Sequence, residues 1–239
     1  MKISELTRDE LSKRLVVSLL NSRDNEDVLF NFPHIEKGSY ALVAQVCVDE
    51  KNKDGKYTSM LTVTNDLLGK WDIHKDELFE MAMDNSRRMF PVLIEPLDNL
   101  VVKDSNELLF KADNISFPPC LLLTNTEFFN GAAAMFYEPE ALNKIAANLK
   151  AKELYLLPVS TNHIFCVPNS ELMTLDEYND VLVDIIREFP EDEHLGENIM
   201  IYDAESGLIR DGNEEFAVRS FEDEHSYNVA PSVSRINHR

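Results

Sequence analysis

The hydrophobic positions in the middle of the chain alternate between short continuous runs and one helical stripe. Three apolar runs have the length of a buried strand, and they lie at residues 120–124, 154–157 and 164–167. Between the first run and the second, Pro139 occupies a position where a helix begins, and apolar residues follow at intervals of three and four as far as Leu149. The pattern predicts a β-β-α-β-β unit at residues 118–168.

A turn is predicted inside this unit. The pair Asn130-Gly131 separates Phe129 from an apolar run at residues 132–137, and the small residues at 131–134 permit close approach of the backbone. Tight packing of strands is the commoner use of such residues, and space for a ligand is the alternative.

The N-terminal residues predict a helix. Thr7 and Glu10 have the spacing of a capping box. Leucines follow on one helical face, at positions 11, 15, 19 and 20. We therefore expect a docking helix that ends near Asn21 or Asn25.

The residues between 40 and 116 predict a hairpin, further helical segments and a loop. The polar link Asp54-Gly55 is typical of a hairpin turn. The predicted elements are strands at 40–48 and 57–64, a turn or single helical turn at 65–70, a helix at 73–90 that stops before a proline, a strand at 92–94, and a long loop at 96–116 with a short strand at 108–110.

The residues after the central unit predict one helix and a last hairpin. Thr174 and Glu177 repeat the capping-box spacing, and an apolar stripe follows until Pro190. Two short strands are predicted at 198–202 and 207–210.

Together these elements predict an α+β fold, in which amphipathic helices pack on a mixed, mostly antiparallel sheet. The packed helices are those at 73–90, 139–149 and 175–189. We expect a single domain at residues 1–221 and a disordered tail at 222–239, because the tail is polar and aperiodic.

The charge of the chain narrows the choice of partners. Its 239 residues include 23 Lys and Arg against 43 Asp and Glu, a formal net charge of −20. This charge repels nucleic-acid phosphates and anionic membranes, so direct binding of either is not expected. A basic protein partner is compatible with it. A decoy that imitates DNA is a sharper interpretation, and acidity that serves solubility alone is the simpler one.

The cysteines and the N-terminus favour the cytoplasm. Cys47, Cys120 and Cys166 are odd in number, widely spaced and set in apolar runs, which is typical of buried reduced thiols. The sequence begins with no secretory signal pattern, and no apolar run approaches the ~18 residues of a membrane span.

Candidate chemistry is sparse. The sequence contains no P-loop, GxGxxG, HExxH, GxSxG or CxxC pattern. A thiol and base pair can be assembled from His163 and Cys166, with Asn125 or Asn130 as the orienting amide. However, residues three apart on a strand point to opposite faces, so the pair would need a bulge to meet. We predict no catalytic residue, cofactor or metal ligand, and we take Asn125, Asn130, Asn162 and His163 as a ligand or partner surface.

Several stretches carry a resemblance to a known family. They are LLGKWDIHKDELFEMAMDNSRRMFP, LLLTN, NGAAAMFY, ELYLLPVSTNHIFCVP and IYDAESGLI. With them, residues 9–209 resemble a family of uncharacterised bacterial proteins, a domain of unknown function common in clostridial gut anaerobes. The resemblance implies a bacterial, cytoplasmic, non-secreted protein and supplies no activity.

Two departures from the family are expected. Its members usually carry an additional N-terminal region before the part that matches Asp9, which this chain would then lack. They also commonly show a His-Glu pair between the prolines matched by Pro158 and Pro168. This sequence has Asn162-His163 there, with the histidine in the Glu position, which lowers the case for an enzyme.

The function predicted from these observations is a non-catalytic binding or regulatory module that recognises a protein partner. The alternative is a hydrolase or transferase with a polar pocket near Asn125, Asn130 and His163. A weak homodimer is also predicted, because the apolar strand at 40–48 needs cover if it lies at a sheet edge.

Overall fold

Two antiparallel sheets with helices packed on them form the part of the chain that the computed structural model describes, residues 3–48, 59–97, 119–170 and 172–212. The predicted α+β class is therefore confirmed. The helices are α1 (Arg8–Arg14), α2 (Glu26–Leu29), α3 (Asn65–Trp71), α4 (Lys75–Met89), α5 (Ala134–Tyr137), α6 (Glu140–Leu149) and α7 (Leu175–Ile186). The strands are β1 (Leu15–Asn21), β2 (His34–Lys37), β3 (Tyr40–Cys47), β4 (Met60–Thr62), β5 (Val92–Pro96), β6 (Leu121–Asn125), β7 (Glu153–Ser160), β8 (His163–Pro168), β9 (Met200–Asp203) and β10 (Ile209–Asp211).

The first sheet, β1 to β4, is built around β3. β1 pairs along one side of β3, while β2 and β4 pair with successive parts of its other side. The predicted pairing of residues 40–48 with 57–64 is confirmed where it is described, and the Asp54-Gly55 turn lies outside the described residues. Because β3 is central, it needs no second copy to cover it. The need to cover an apolar edge strand therefore no longer supports the predicted homodimer, which stays a prediction.

The predicted first helix is wrong beyond its first turns. α1 ends at Arg14, and the chain continues directly into β1. The capping box itself is present, since Thr7 and Glu10 bond to each other's backbone N–H. Leu15, Val17 and Leu19 face the main core as alternate residues of a strand, and this period of two competes with the helical spacing of the leucines.

Helix α4 covers the outer edge of β1. The backbone N–H of Val17 donates to Ser86 Oγ at 3.0 Å, and the Asn85 amide donates to the Leu15 carbonyl at 2.7 Å. Ser86 and Asn85 are both buried. Side chains of a helix therefore satisfy strand groups that would otherwise be unpaired, as a protected edge requires.

The second sheet has the strand order β10-β9-β7-β8-β6-β5, and each neighbouring pair is antiparallel. One face contributes Leu123 and Leu156 to a core shared with the first sheet and with α6. The other face carries Phe165 and Val167 and is covered by α7. The last predicted hairpin is confirmed as β9 and β10.

The β-β-α-β-β prediction is wrong in its second element. The run at residues 132–137 is helical: a short 3-10 helix at Gly131–Ala133 leads into α5. Alanines favour helix, and their small size lets the segment contact β1, β6 and β8. The predicted helices at 73–90, 139–149 and 175–189 are confirmed as α4, α6 and α7. The strand predicted at 108–110 and the tail at 222–239 lie outside the described residues.

Candidate functional site

The four candidate residues lie where one loop meets one turn. Asn125 ends β6 and closes the loop that follows it. Its Oδ1 accepts from the backbone N–H of Glu127 at 3.0 Å and of Phe129 at 3.3 Å, and its Nδ2 donates to the Phe129 carbonyl at 2.6 Å. The side chain is fully buried. Asn125 therefore fixes the backbone of the loop at residues 125–130.

Asn130 links this loop to both sheets. Its backbone φ is +50°, a left-handed conformation that asparagine tolerates. Its side chain accepts from Ser18 of β1 at 3.0 Å and donates to Gln45 of β3 at 2.8 Å. Its backbone N–H donates to Asn162 Oδ1 at 2.9 Å. The predicted turn is confirmed, and the amide acts as a junction between layers.

Asn162 lies in the turn between β7 and β8 and makes the other half of the junction. Its Nδ2 donates to Glu193 at 3.1 Å, and its carbonyl accepts from Thr124 Oγ1 at 2.7 Å. A Cβ added to Gly131 would overlap that carbonyl and would lie 2.5 Å from Thr124 Oγ1. The space beside Gly131 is thus filled by the β7–β8 turn, which supports close backbone packing over a ligand.

His163 is bonded to Ser160 and is neutral at pH 7. Ser160 Oγ and His163 Nδ1 are 3.0 Å apart, and Ser160 Oγ also accepts from the Asn162 N–H at 3.1 Å. Burial lowers the pKa of His163 to about 4. In a serine nucleophile pair the hydroxyl bonds Nε2 and is open to substrate. Here the hydroxyl bonds Nδ1 and is fully buried, so the pair is structural.

Phe128 is the exposed member of an aromatic row. Its ring lies 6.1 Å from the His163 ring, which in turn lies 5.9 Å from Phe189 after α7. Phe128 is 45% exposed and has a backbone φ of +52°. Bulky residues rarely adopt this conformation, which persists where surrounding bonds impose it.

Acidic residues adjoin Phe128 and Phe189 along the chain. Glu127 precedes Phe128, and Glu188, Glu191 and Asp192 flank Phe189 with exposed side chains. Glu193, the next residue along the chain, is partly buried; burial raises the pKa of its carboxyl, and the Asn162 hydrogen bond opposes that rise. Phe128, His163, Phe189 and these five acidic residues form what we call the aromatic–acidic surface.

The three cysteines contribute nothing to this surface. All are reduced and buried. Cys166 lies in the core that faces the first sheet, whereas His163 packs against Phe189 on the opposite face, so the strand geometry that separates them is confirmed. Burial raises the pKa of the Cys166 thiol well above its usual range.

We therefore expect the native thiols to resist modification. A thiol reagent at neutral pH should label Cys47, Cys120 and Cys166 only slowly in the folded protein, because all three are shielded by burial and the raised pKa of Cys166 leaves it little thiolate. Unfolding in denaturant should make all three cysteines accessible to the reagent, and mass spectrometry counts the labels that each chain carries. Rapid stoichiometric labelling of native Cys166 would contradict this expectation and would revive the thiol–base pair.

Two further findings concern ligands and membranes. Among the described residues, no group of three or more His, Cys, Asp or Glu side chains is placed to hold a metal ion. Within the same ranges, no helix has both the length and the apolar character needed to cross a membrane.

Fold and site define an α+β protein in which an amide network ties two sheets together beneath an aromatic–acidic surface. The chain belongs to a family of unknown function, DUF5688, which it matches over residues 2–204. The resemblance to a domain of unknown function is confirmed. No curated protein and no solved structure is significantly similar to the chain. The clostridial source, the additional N-terminal region and the His-Glu departure stay predictions.

The sequence does not predict the exposed aromatic residue of this region, Phe128. The structure brings Asn130, Asn162 and His163 together, while Asn125 shapes the loop that presents Phe128. A single phenylalanine next to a predicted turn gives no signal of its backbone conformation. The only available hint was its place between Asn125 and Asn130, two residues that favour turns.

Proposed function

We propose that this protein is a non-catalytic binding module that recognises a basic protein partner. The observation that carries the proposal is the acidic face of α7 and of the loop after it. The exposed acidic residues there are Asp176, Glu177, Asp180, Asp184, Glu188, Glu191 and Asp192. Arg187, which bonds to Asp184, is the one basic residue in that segment.

The spacing of these acids makes a continuous surface. Asp176, Asp180 and Asp184 recur every four residues, so they align along one side of α7, and Glu188 follows two residues after the helix ends. The opposite side is buried on the second sheet through residues such as Leu182 and Ile185. Aligned like charges repel one another, and a basic partner relieves that repulsion while the field steers its approach.

The candidate amides support binding over catalysis. Asn125, Asn130 and Asn162 spend their side-chain groups on bonds within the chain, and Ser160 is buried. A reacting substrate needs polar groups that are free to meet it. We assign the protein to the bacterial cytoplasm, in keeping with its buried thiols and family resemblance, and the hydrolase or transferase remains the alternative hypothesis.

A quantitative pull-down tests the proposal. The bait is the full chain, and the comparison variant carries Asp180→Asn, Asp184→Asn, Glu188→Gln and Glu191→Gln. We expect the wild type to retain basic proteins from a bacterial lysate at low salt and to lose them as salt rises toward 0.5 M, since exposed charges are then screened. The variant should lose most of this binding at low salt.

A matched control separates location from net charge. Glu26→Gln, Asp27→Asn, Glu80→Gln and Glu205→Gln remove the same number of exposed carboxylates from other elements. This control should bind as the wild type does. Equal losses in both variants would mean that the protein attracts basic proteins through net charge alone, and the acidic face would not be a recognition surface.

A further inference from the structure

We propose that the aromatic–acidic surface is the anchor point of this binding, and that it takes an arginine of the basic partner over Phe128 while His163 Nε2 binds a backbone carbonyl of the same segment. The inference rests on the proposed function, which it deepens by naming the anchoring residues and the chemistry that they recognise.

The loop holds the backbone of Phe128 in a fixed conformation. Asn125 holds the backbone on both sides of Phe128 through Glu127 and Phe129. Asn130 then ties the end of the loop to the first sheet. A side chain that is held in this way loses little freedom on binding, which is why rigid aromatic residues anchor interfaces.

His163 supplies a polar group without a partner. Its exposed fraction is only 9%, yet within the described residues nothing bonds to Nε2. Nε2 is not sealed from solvent, and the His163 ring lies 6.1 Å from the exposed ring of Phe128. The Ser160 hydroxyl is fully buried, and in its other described bond it accepts, from the Asn162 N–H. Nδ1 is therefore the described acceptor left for the hydroxyl hydrogen, which assigns the ring hydrogen to Nε2.

This chemistry fits one side chain and its backbone. A cation is attracted to the face of the Phe128 ring and to the carboxylates of Glu188, Glu191 and Asp192. Arginine suits the site better than lysine, because its planar guanidinium is weakly hydrated and stacks on aromatic rings. A segment that carries arginine also brings the carbonyl oxygen that the Nε2–H of His163 requires.

Other occupants fit less well. Nucleic acid would bring phosphates against the surrounding carboxylates. A second copy of this chain would bring its own net charge of −20. An uncharged apolar segment would leave the carboxylates uncompensated, so a basic peptide segment is the occupant that the charges favour.

The test uses fluorescein-labelled hexa-arginine and hexa-lysine peptides, with binding followed by fluorescence anisotropy at 50 mM and 150 mM salt. We expect Phe128→Ala to weaken hexa-arginine binding by about tenfold and hexa-lysine binding by less. The matched control is Phe30→Ala, because Phe30 is 85% exposed but belongs to a different segment, the turn after α2. That variant should bind both peptides as the wild type does.

A second measurement needs no substitution. The ¹⁵N-labelled wild type should show a shift of the His163 Nε2–H signal as hexa-arginine is added, because the hydrogen gains an acceptor. Three outcomes would each overturn the anchor while leaving the acidic face as a recognition surface. They are an unchanged Nε2–H signal at saturation, equal effects of Phe128→Ala and Phe30→Ala on binding, and equal losses of binding for the two peptides. Absence of any wild-type binding at 50 mM salt would overturn both proposals.

Discussion

Gly131→Ala should be among the most damaging single substitutions in this protein, with a loss of about 3 to 4 kcal/mol in the free energy of unfolding. The new Cβ would overlap the Asn162 carbonyl oxygen and would also crowd Thr124 Oγ1. The carbonyl belongs to backbone and cannot swing aside, so the turn between β7 and β8 must move. That movement would also break the bond from Thr124 to Asn162.

Urea unfolding followed by the fluorescence of Trp71, the single tryptophan of the chain, measures this loss. Gly69→Ala is the control, because nothing lies within 4 Å of a Cβ at that position in α3. It should stabilise the protein by about 0.5 to 1 kcal/mol through helix propensity. A cost for Gly131→Ala below about 0.5 kcal/mol, typical of a surface site, would mean that the junction tolerates displacement.

The second large effect is a loss of stability in mild acid that depends on His163. Its pKa is about 4 in the folded protein and 6.5 when the ring is free of its surroundings. Between these values the unfolded chain binds a proton that the folded chain does not bind. Stability from this group is therefore complete above pH 6.5 and falls as the pH drops toward 4, by about 3 kcal/mol in all.

Urea unfolding of the wild type and of His163→Asn at a series of pH values isolates this effect. Asparagine can still accept a hydrogen bond from Ser160 but does not titrate. The variant should therefore have a lower free energy of unfolding than the wild type at pH 7, and this free energy should fall less as the pH drops toward 4. Glu193, whose pKa is raised by burial, acts in the opposite direction in both proteins and cancels in the comparison. Parallel pH curves for the two proteins would show that the folded pKa of His163 is not depressed.

Elements with two agreeing signals were predicted from sequence. α7 has both a capping box at Thr174 and an apolar stripe, and both are present in the structure. β1 had conflicting signals: the leucines at 15 and 19 fit a helix, while Val16 and Val17 favour a strand. Pairing with β3 decides between them. Sequence reasoning could not supply that partner, since it lies 19 or more residues later along the chain.

The candidate site was predicted in outline for a similar reason. Asn130 predicts a turn, because asparagine favours turns and tolerates the left-handed backbone conformation that it has in the structure. The bonds from Asn130 to Ser18 and Gln45 depend on how the two sheets are placed, and nothing local encodes that placement. The left-handed backbone of Phe128 is held by the bonds of Asn125 within the loop, and nothing in the residue type of Phe128 indicates it.

The cover that α4 gives to β1 has a consequence for synthesis. The backbone groups of Val17 and Leu15 are hydrogen-bonded by Ser86 and Asn85, which lie 69 and 70 residues further along the chain. On the ribosome, β1 and β3 can pair well before Asn85 and Ser86 have emerged. Until then, the nascent chain exposes the unpaired edge of β1, which can pair with other incompletely folded copies of the chain. The period in which this protein is most prone to aggregation thus falls before α4 docks, and a chaperone that shields β1 would act in that interval.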